Sequence, residues 1–122
     1  MFRNTVRTAL VTLALAGLVG VASPASAAPP AACPFTDTLC LFEGANFTGA
    51  RFNVRALVPN GTCVDLVSHG WGGGRAHSAI NTNSRAATLH TLANCWGYPP
   101  VVVSGNSSNP SFSVNASSVY VF

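Results

Sequence analysis

One sequence pattern occurs twice in the chain, and it limits the possible folds more than any other feature. The first copy is LCLFEGANFTG, at residues 39–49, and the second is ATLHTLANCWG, 48 positions later at residues 87–97. Four pairs of residues are identical between the copies: Leu41 and Leu89, Ala45 and Ala93, Asn46 and Asn94, Gly49 and Gly97. A repeat at a fixed spacing indicates that one small structural unit has been duplicated. We therefore expect two similar units that pack together.

The first 27 residues have the pattern of a secretory signal peptide. Arg3 and Arg7 give a positive start, residues 9–22 form an apolar core, and Ala25-Ser26-Ala27 is a small-residue cleavage site. A retained membrane anchor is the alternative, but the apolar core is too short to span a bilayer as a helix. We expect residues 1–27 to be a signal peptide, residues 28–32 a flexible lead and residues 33–122 a single secreted domain without a membrane span.

Cysteine count and charge restrict the function of this domain. Its four cysteines indicate two disulfides in a small secreted chain, and three pairings are possible. We favour Cys33–Cys40, which closes the lead into the first repeat, and Cys63–Cys95, which ties the first half to the second. A zinc site is the alternative, but the chain has no C-x₂-C pair and secreted cysteines usually oxidise. After residue 27 the chain has four arginines, three acidic residues and no lysine, a net charge of +1. Scattered charges of this kind do not indicate a nucleic-acid partner.

Short alternating segments separated by turn signals predict an all-β fold, a sandwich or a barrel. Residues 68–75 (SHGWGGGR) and 105–111 (GNSSNPS) are expected to be loops. The expected strands cover residues 38–43, 50–54, 62–67, 78–83, 86–91, 101–104 and 112–122.

The repeat resembles the Greek-key motif of the βγ-crystallins, in which four residues separate two aromatic residues and one further residue separates the second aromatic from a glycine. The first copy matches it as Phe42-x₄-Phe47-x-Gly49. In the second copy His90 and Cys95 replace the aromatics while Gly97 remains, so Cys95 is expected to anchor its turn by a disulfide. The resemblance implies a βγ-crystallin-like sandwich of two Greek keys, stapled by disulfides.

More narrowly, the chain resembles the secreted actinobacterial peptidase inhibitors typified by the Streptomyces metalloproteinase inhibitor. The resemblance rests on CPFTDTLCLFEGANFTG, CVDL, GRAHSAINTNS and LHTLANCWG, within residues 33–97. It implies a monomer without a cofactor that blocks a secreted protease, above all a metalloproteinase, with a disulfide-anchored loop. Alternative functions are a killer-toxin-like antimicrobial protein and a structural extracellular module.

In the resembled inhibitor, the reactive peptide bond follows a disulfide cysteine and precedes a valine. Cys63-Val64 matches this dipeptide, whereas Cys95-Trp96 matches its place in the chain. The second cysteine that closes a small loop in that inhibitor is missing here. The alternative is that both cysteines only staple the fold and that Val64 and Trp96 only pack.

Other site chemistries are poorly supported. βγ-Crystallin calcium motifs begin with acidic or amide residues, whereas the equivalent segments here, residues 73–78 and 113–118, begin with Gly-Gly and Ser-Val. We expect Ser78, Ser117 and Ser118 to hydrogen-bond the turns and to bind no metal. The histidines at 69, 77 and 90 lack metalloprotease spacing, and no serine lies in G-x-S-x-G, so we expect no enzyme activity.

Overall fold

A computed structural model of the protein describes residues 30–122; the signal-peptide prediction for residues 1–27 lies outside them. The described part has eight short strands and two one-turn 3₁₀ helices. The helices are Ala45–Phe47 and Ala93–Cys95. The strands are β1 (Leu39–Phe42), β2 (Arg51–Val54), β3 (Thr62–Asp65), β4 (Ser78–Asn81), β5 (Ala87–His90), β6 (Val101–Val103), β7 (Ser107–Asn109) and β8 (Ser118–Val121). Within residues 30–122, no helix is both long and apolar enough to cross a membrane.

The strands form two four-stranded antiparallel sheets that exchange one strand each. Sheet 1 has the order β2-β1-β4-β7, and sheet 2 has the order β3-β8-β5-β6. Each repeat unit (β1–β4 and β5–β8) contributes its first, second and fourth strands to one sheet and its third strand to the other. This arrangement confirms the expected all-β fold with two Greek keys.

The repeated segment forms the same folded turn in both units, because the residues after its alanine have left-handed backbone conformations. φ is 53° at Asn46 and 62° at Phe47, and the equivalent Asn94 and Cys95 have φ of 61° and 58°. Asparagine tolerates this region better than most residues. Gly49 and Gly97 complete the turns at φ of 79° and 102°, where side chains are disfavoured.

A buried serine ties each folded turn to the fourth strand of its unit. The Ser78 hydroxyl donates to the Gly44 carbonyl oxygen at 2.6 Å and accepts from the Phe47 N–H at 3.0 Å. In the second unit, the Ser118 hydroxyl donates to the Leu92 carbonyl at 2.5 Å and accepts from the Cys95 N–H at 2.9 Å. Ser78 and Ser118 are both fully buried. Their hydrogen bonds hold the two turns against the ends of β4 and β8.

Alternation along the strands places one row of apolar residues from each sheet in the core. In sheet 2, Val64, Val119, Leu89 and Val101 lie side by side and face sheet 1. A second, smaller apolar cluster lies on the outer face of sheet 1. It consists of Cys33, Cys40, Phe42 and Ile80, with Ala32 and Phe47 packed against it. The segment before β1 therefore covers this outer face.

Two sequence expectations about strands were wrong. Residues 107–109, expected to be a loop, form β7, which pairs with β4. Its Ser-Ser-Asn sequence has no apolar alternation, because β7 is a largely exposed strand at the edge of sheet 1. Conversely, residues 112–117 of the expected last strand are not in a strand, and β8 begins only at Ser118.

Candidate functional site

The Cys63–Cys95 disulfide brings the two candidate reactive bonds together. The pairing is the one favoured from the sequence, as is Cys33–Cys40. Cys63 lies on β3 of the first unit, and Cys95 ends the second 3₁₀ helix. Their Cα atoms are 5.9 Å apart although 32 residues separate them in the chain. Cys63-Val64 and Cys95-Trp96 therefore belong to one surface.

Cys63-Val64 lies in an extended strand at the edge of sheet 2. Cys63 pairs with Tyr120 and Val64 with Val119 of β8, and the other side of β3 has no neighbour within its sheet. The Cys63 side chain is exposed on the outer face, whereas Val64 packs against the core. An extended edge strand can pair with the backbone of another protein.

Cys95-Trp96 has a different backbone geometry. Cys95 is in the left-handed region, and its N–H is held by Ser118 as described above. The Trp96 carbonyl accepts from the Leu92 N–H at 3.1 Å, so the bond belongs to a closed turn. The Trp96 side chain is 72% exposed. This dipeptide presents an aromatic side chain, but its backbone is left-handed at Cys95 and extended only at Trp96.

Exposed apolar residues are concentrated around this second turn. Leu92 precedes the second 3₁₀ helix, Trp96 follows it, Tyr98 is 94% exposed, and Val102 lies on β6. We call these four residues the apolar surface of the second unit. Only Trp96 among them was a candidate from the sequence. A usable signal was present, since leucine and tyrosine are unusual in turns, where polar residues and glycine dominate.

The outer face of sheet 2 is more open than that of sheet 1. Its central row is Cys63, Tyr120, Thr88 and Val102, one residue from each strand. The equivalent row of sheet 1 contains Cys40 and Ile80, both buried beneath the segment around Cys33. In sheet 2, Val102 and Cys63 are exposed and Tyr120 is half-buried. The two units are thus alike in their turns and different in what covers their outer faces.

The first degenerate calcium segment, residues 73–78, is occupied by protein groups. His77 Nδ1 lies 2.6 Å from the Glu43 carbonyl oxygen and 3.0 Å from that of Arg75, so a proton on Nδ1 is shared between two acceptors. The Arg75 guanidinium lies 4.3 Å from the centre of the Trp71 ring and forms a 3.4 Å ion pair with Glu43. A guanidinium and a ring nitrogen where oxygen ligands are needed do not suit a hard cation.

The histidines are not grouped. His69 lies beside Phe52 in the loop after β3, and His90 lies at the end of β5, where Nε2 is 2.8 Å from the Thr88 hydroxyl. His90 Nδ1 is buried and has no hydrogen-bond partner within residues 30–122. Within residues 30–122, no group of three or more His, Cys, Asp or Glu side chains is placed to hold a metal ion.

Comparisons with known proteins agree with this architecture. The model of peptidase inhibitor family I36 matches residues 26–102. None of the curated proteins matches the chain significantly.

Several solved βγ-crystallin structures share the fold. A βγ-crystallin domain from Clostridium beijerinckii has a TM-score of 0.57 at 13% identity, over 70% of this chain and 97% of that chain. βγ-Crystallin from Ciona intestinalis has a TM-score of 0.55 at 22% identity, over 70% and 99%. The N-terminal domain of Protein S has a TM-score of 0.58 at 15% identity, over 70% and 94%. These similarities confirm the βγ-crystallin-like fold expected from the repeat.

Proposed function

The chain belongs to peptidase inhibitor family I36, and from this premise we propose that it is a secreted inhibitor that occupies the cleft of a metallopeptidase. The proposal rests on the Cys63–Cys95 disulfide, which fixes an extended edge strand beside an exposed aromatic turn. A rigid binding segment loses little conformational freedom when it binds, and this raises affinity. Secretion is supported by the disulfides and by the signal-peptide pattern.

Of the two candidate bonds, we propose Cys63-Val64 as the one that enters the cleft. Its backbone is extended, as a peptidase substrate must be, and β3 has a free edge for pairing with the enzyme. The bond also lies inside the ring closed by the Cys63–Cys95 disulfide, so both ends stay attached if it is cut. The Cys95-Trp96 bond lies just outside this ring. Its backbone is left-handed at Cys95, with a φ of 58°, whereas a bound peptidase substrate is extended.

The position of Val64 accounts for inhibition instead of turnover. Its half-buried side chain packs against the core, and its backbone pairs with Val119 of β8. The strand must leave sheet 2 before the bond can reach a reactive geometry. Since this would break strand pairing and expose core residues, the enzyme binds the strand but cuts it slowly.

The apolar surface of the second unit supplies the flanking contacts. Tryptophan and tyrosine are enriched among the residues that contribute most to binding at protein interfaces. Trp96 follows directly on Cys95, so its indole is presented next to the disulfide. We propose that Trp96 and Leu92 pack on the rim of the enzyme's cleft while β3 pairs along it.

A panel of purified metallo-, serine and cysteine peptidases tests this proposal, with the mature protein titrated into each. We expect stoichiometric inhibition of a thermolysin-like metallopeptidase and a weaker effect on the other classes. A killer-toxin-like protein or a structural module would share the fold but would leave every peptidase active at excess protein. That result would overturn the proposed function.

Prolonged incubation with the inhibited enzyme then distinguishes the two bonds. A chain cut at Cys63-Val64 stays one species without reductant and separates into two after reduction, because Cys63–Cys95 joins the pieces. A chain cut at Cys95-Trp96 releases residues 96–122, which contain no cysteine, in denaturant alone. Mass spectrometry of both samples identifies the bond, and release without reduction would contradict our choice.

A further inference from the structure

The connection between β2 and β3 is longer than the fold requires. It spans residues 55–61. The equivalent connection of the second unit, between β6 and β7, crosses between the same two sheets with residues 104–106 alone. Those three residues are Ser-Gly-Asn, whereas the longer connection reads RALVPNG. The extra length therefore has no counterpart in the other half of the same fold.

The additional residues place two apolar side chains in solvent. Leu57 is 91% exposed, and its neighbour Val58 is 53% exposed. Single exposed apolar residues are common on protein surfaces and need no explanation. Here two adjacent ones stand at the tip of a loop whose counterpart is entirely polar. We call Leu57 and Val58 the apolar tip.

The loop beneath the apolar tip is held on both sides. Ala56 packs against the core on one side. On the other, the Gly61 N–H donates to the Val58 carbonyl at 3.2 Å across a turn that has Pro59 at its second position, where proline is favoured. The Tyr120 hydroxyl also donates to the Asn60 carbonyl at 2.7 Å. The tip is thus presented by a backbone with little freedom, which favours binding because less entropy is lost.

We propose that the apolar tip is a second anchor for the target peptidase and inserts into an apolar depression beside the cleft. This inference rests on the proposed function. Leu57 is six residues before Cys63 on a continuous segment, so the two are at most about 20 Å apart. Peptidase–inhibitor interfaces bury about 800 Å² on each partner, a patch about 30 Å across, which is wide enough to include both.

The groove that this chain offers beside its first disulfide is a poor partner for the tip of a second copy. A projecting leucine requires an apolar depression in its partner. This groove lies between β2 and the loop closed by the Cys33–Cys40 disulfide. It contains the apolar residues Pro34 and Phe35, but polar residues also line it: Thr36, Thr38, Asn53 and Arg55. These polar groups would lose hydration against a leucine without gaining hydrogen bonds.

The test measures the inhibition constant of the mature protein and of the Leu57→Ala and Leu57→Asp variants against the peptidase found with the panel. Leu57 is almost fully exposed, so both variants should keep the wild-type melting temperature. We expect Leu57→Ala to raise the inhibition constant about tenfold, and Leu57→Asp about a hundredfold, through faster dissociation. Asn106→Asp is the matched control, since it adds the same charge at the exposed tip of the equivalent connection and should change inhibition little.

Each outcome of this test decides the inference. If Leu57→Asp inhibits as well as the wild type, the tip is not an anchor. If the wild type sediments as a dimer that Leu57→Asp disrupts without any change in inhibition, the tip binds a second copy and the inference is wrong. Failure of the wild-type protein to inhibit any peptidase would instead overturn the proposed function itself, and the anchor with it.

Discussion

At the scale of single residues, the pair Ser78 and Ser118 shows how one side chain defines the repeated unit. Both were first notable as the last positions of degenerate calcium segments. In the structure each hydroxyl bridges the two arms of a folded turn, as donor to one carbonyl and acceptor from one N–H. Because each hydroxyl satisfies two backbone groups, serine has a structural role at these positions that does not depend on calcium.

Replacing either serine by alanine should destabilise the protein by about 1–3 kcal/mol, because a backbone N–H and a carbonyl lose their partner in a buried place. Chemical denaturation of Ser78→Ala and Ser118→Ala measures the loss. The expectation that Ser117 also hydrogen-bonds the turn was wrong, since its hydroxyl makes no hydrogen bond within residues 30–122. Ser117→Ala is therefore the matched control and should be close to neutral. Equal losses at positions 117 and 118 would contradict this role for Ser118.

At the scale of elements, the two disulfides differ in exposure. Cys33 and Cys40 are fully buried under the first turn, whereas Cys63 is exposed and Cys95 is half-buried. Thiol–disulfide exchange requires access of the attacking thiolate to a sulfur atom. A mild thiol reductant should therefore open Cys63–Cys95 first and leave Cys33–Cys40 intact.

Alkylation of released thiols followed by mass spectrometry checks this order. The same samples should lose inhibition in parallel with reduction of the Cys63–Cys95 disulfide, because β3 and the second turn are then no longer linked. A Cys63→Ala, Cys95→Ala double variant is the control for the fully opened bond and should inhibit weakly from the start. Prior release of Cys33 and Cys40 would show that burial does not protect the first disulfide.

Elements with an apolar face were predictable from the sequence, and those without one were not. β1 and β5 carry the repeated leucine and were predicted within one residue at each end. β7 was missed because Ser107–Asn109 contributes backbone pairing alone, and a polar strand has no periodic signal. For the site, the sequence identified both candidate dipeptides. Their adjacency followed from the favoured Cys63–Cys95 pairing, whereas the free edge of β3 and the closed turn around Cys95-Trp96 depend on strand order and backbone geometry, which have no signal in the sequence pattern.

At the scale of the whole molecule, duplication provides the scaffold and divergence provides the candidate surfaces. The turns, their serines and the core rows are shared between the units. The differences are the covered outer face of sheet 1, the exposed face of sheet 2, the aromatic turn around Trp96 and the longer connection that carries Leu57. Three of these four differences expose apolar area, which is the property that a protein-binding surface requires.

The exchange of β3 and β7 between the sheets makes each unit incomplete by itself. Sheet 1 needs β7 from the second unit, and sheet 2 needs β3 from the first, while the core lies between the sheets. We therefore expect residues 30–83 and 84–122, produced as separate chains, each to be unfolded in solution. When mixed they should form a 1:1 complex with β-sheet circular dichroism, because only together do they bury the apolar rows.

Cys63→Ala and Cys95→Ala in the respective halves keep this association non-covalent, and the intact chain with both substitutions is the control for stability. The complex should be weaker than the intact control, since association costs translational and rotational freedom that a continuous chain does not lose. Dispersed NMR resonances from either half alone would contradict the prediction. They would mean that one repeat unit can bury enough apolar surface without the exchanged strand.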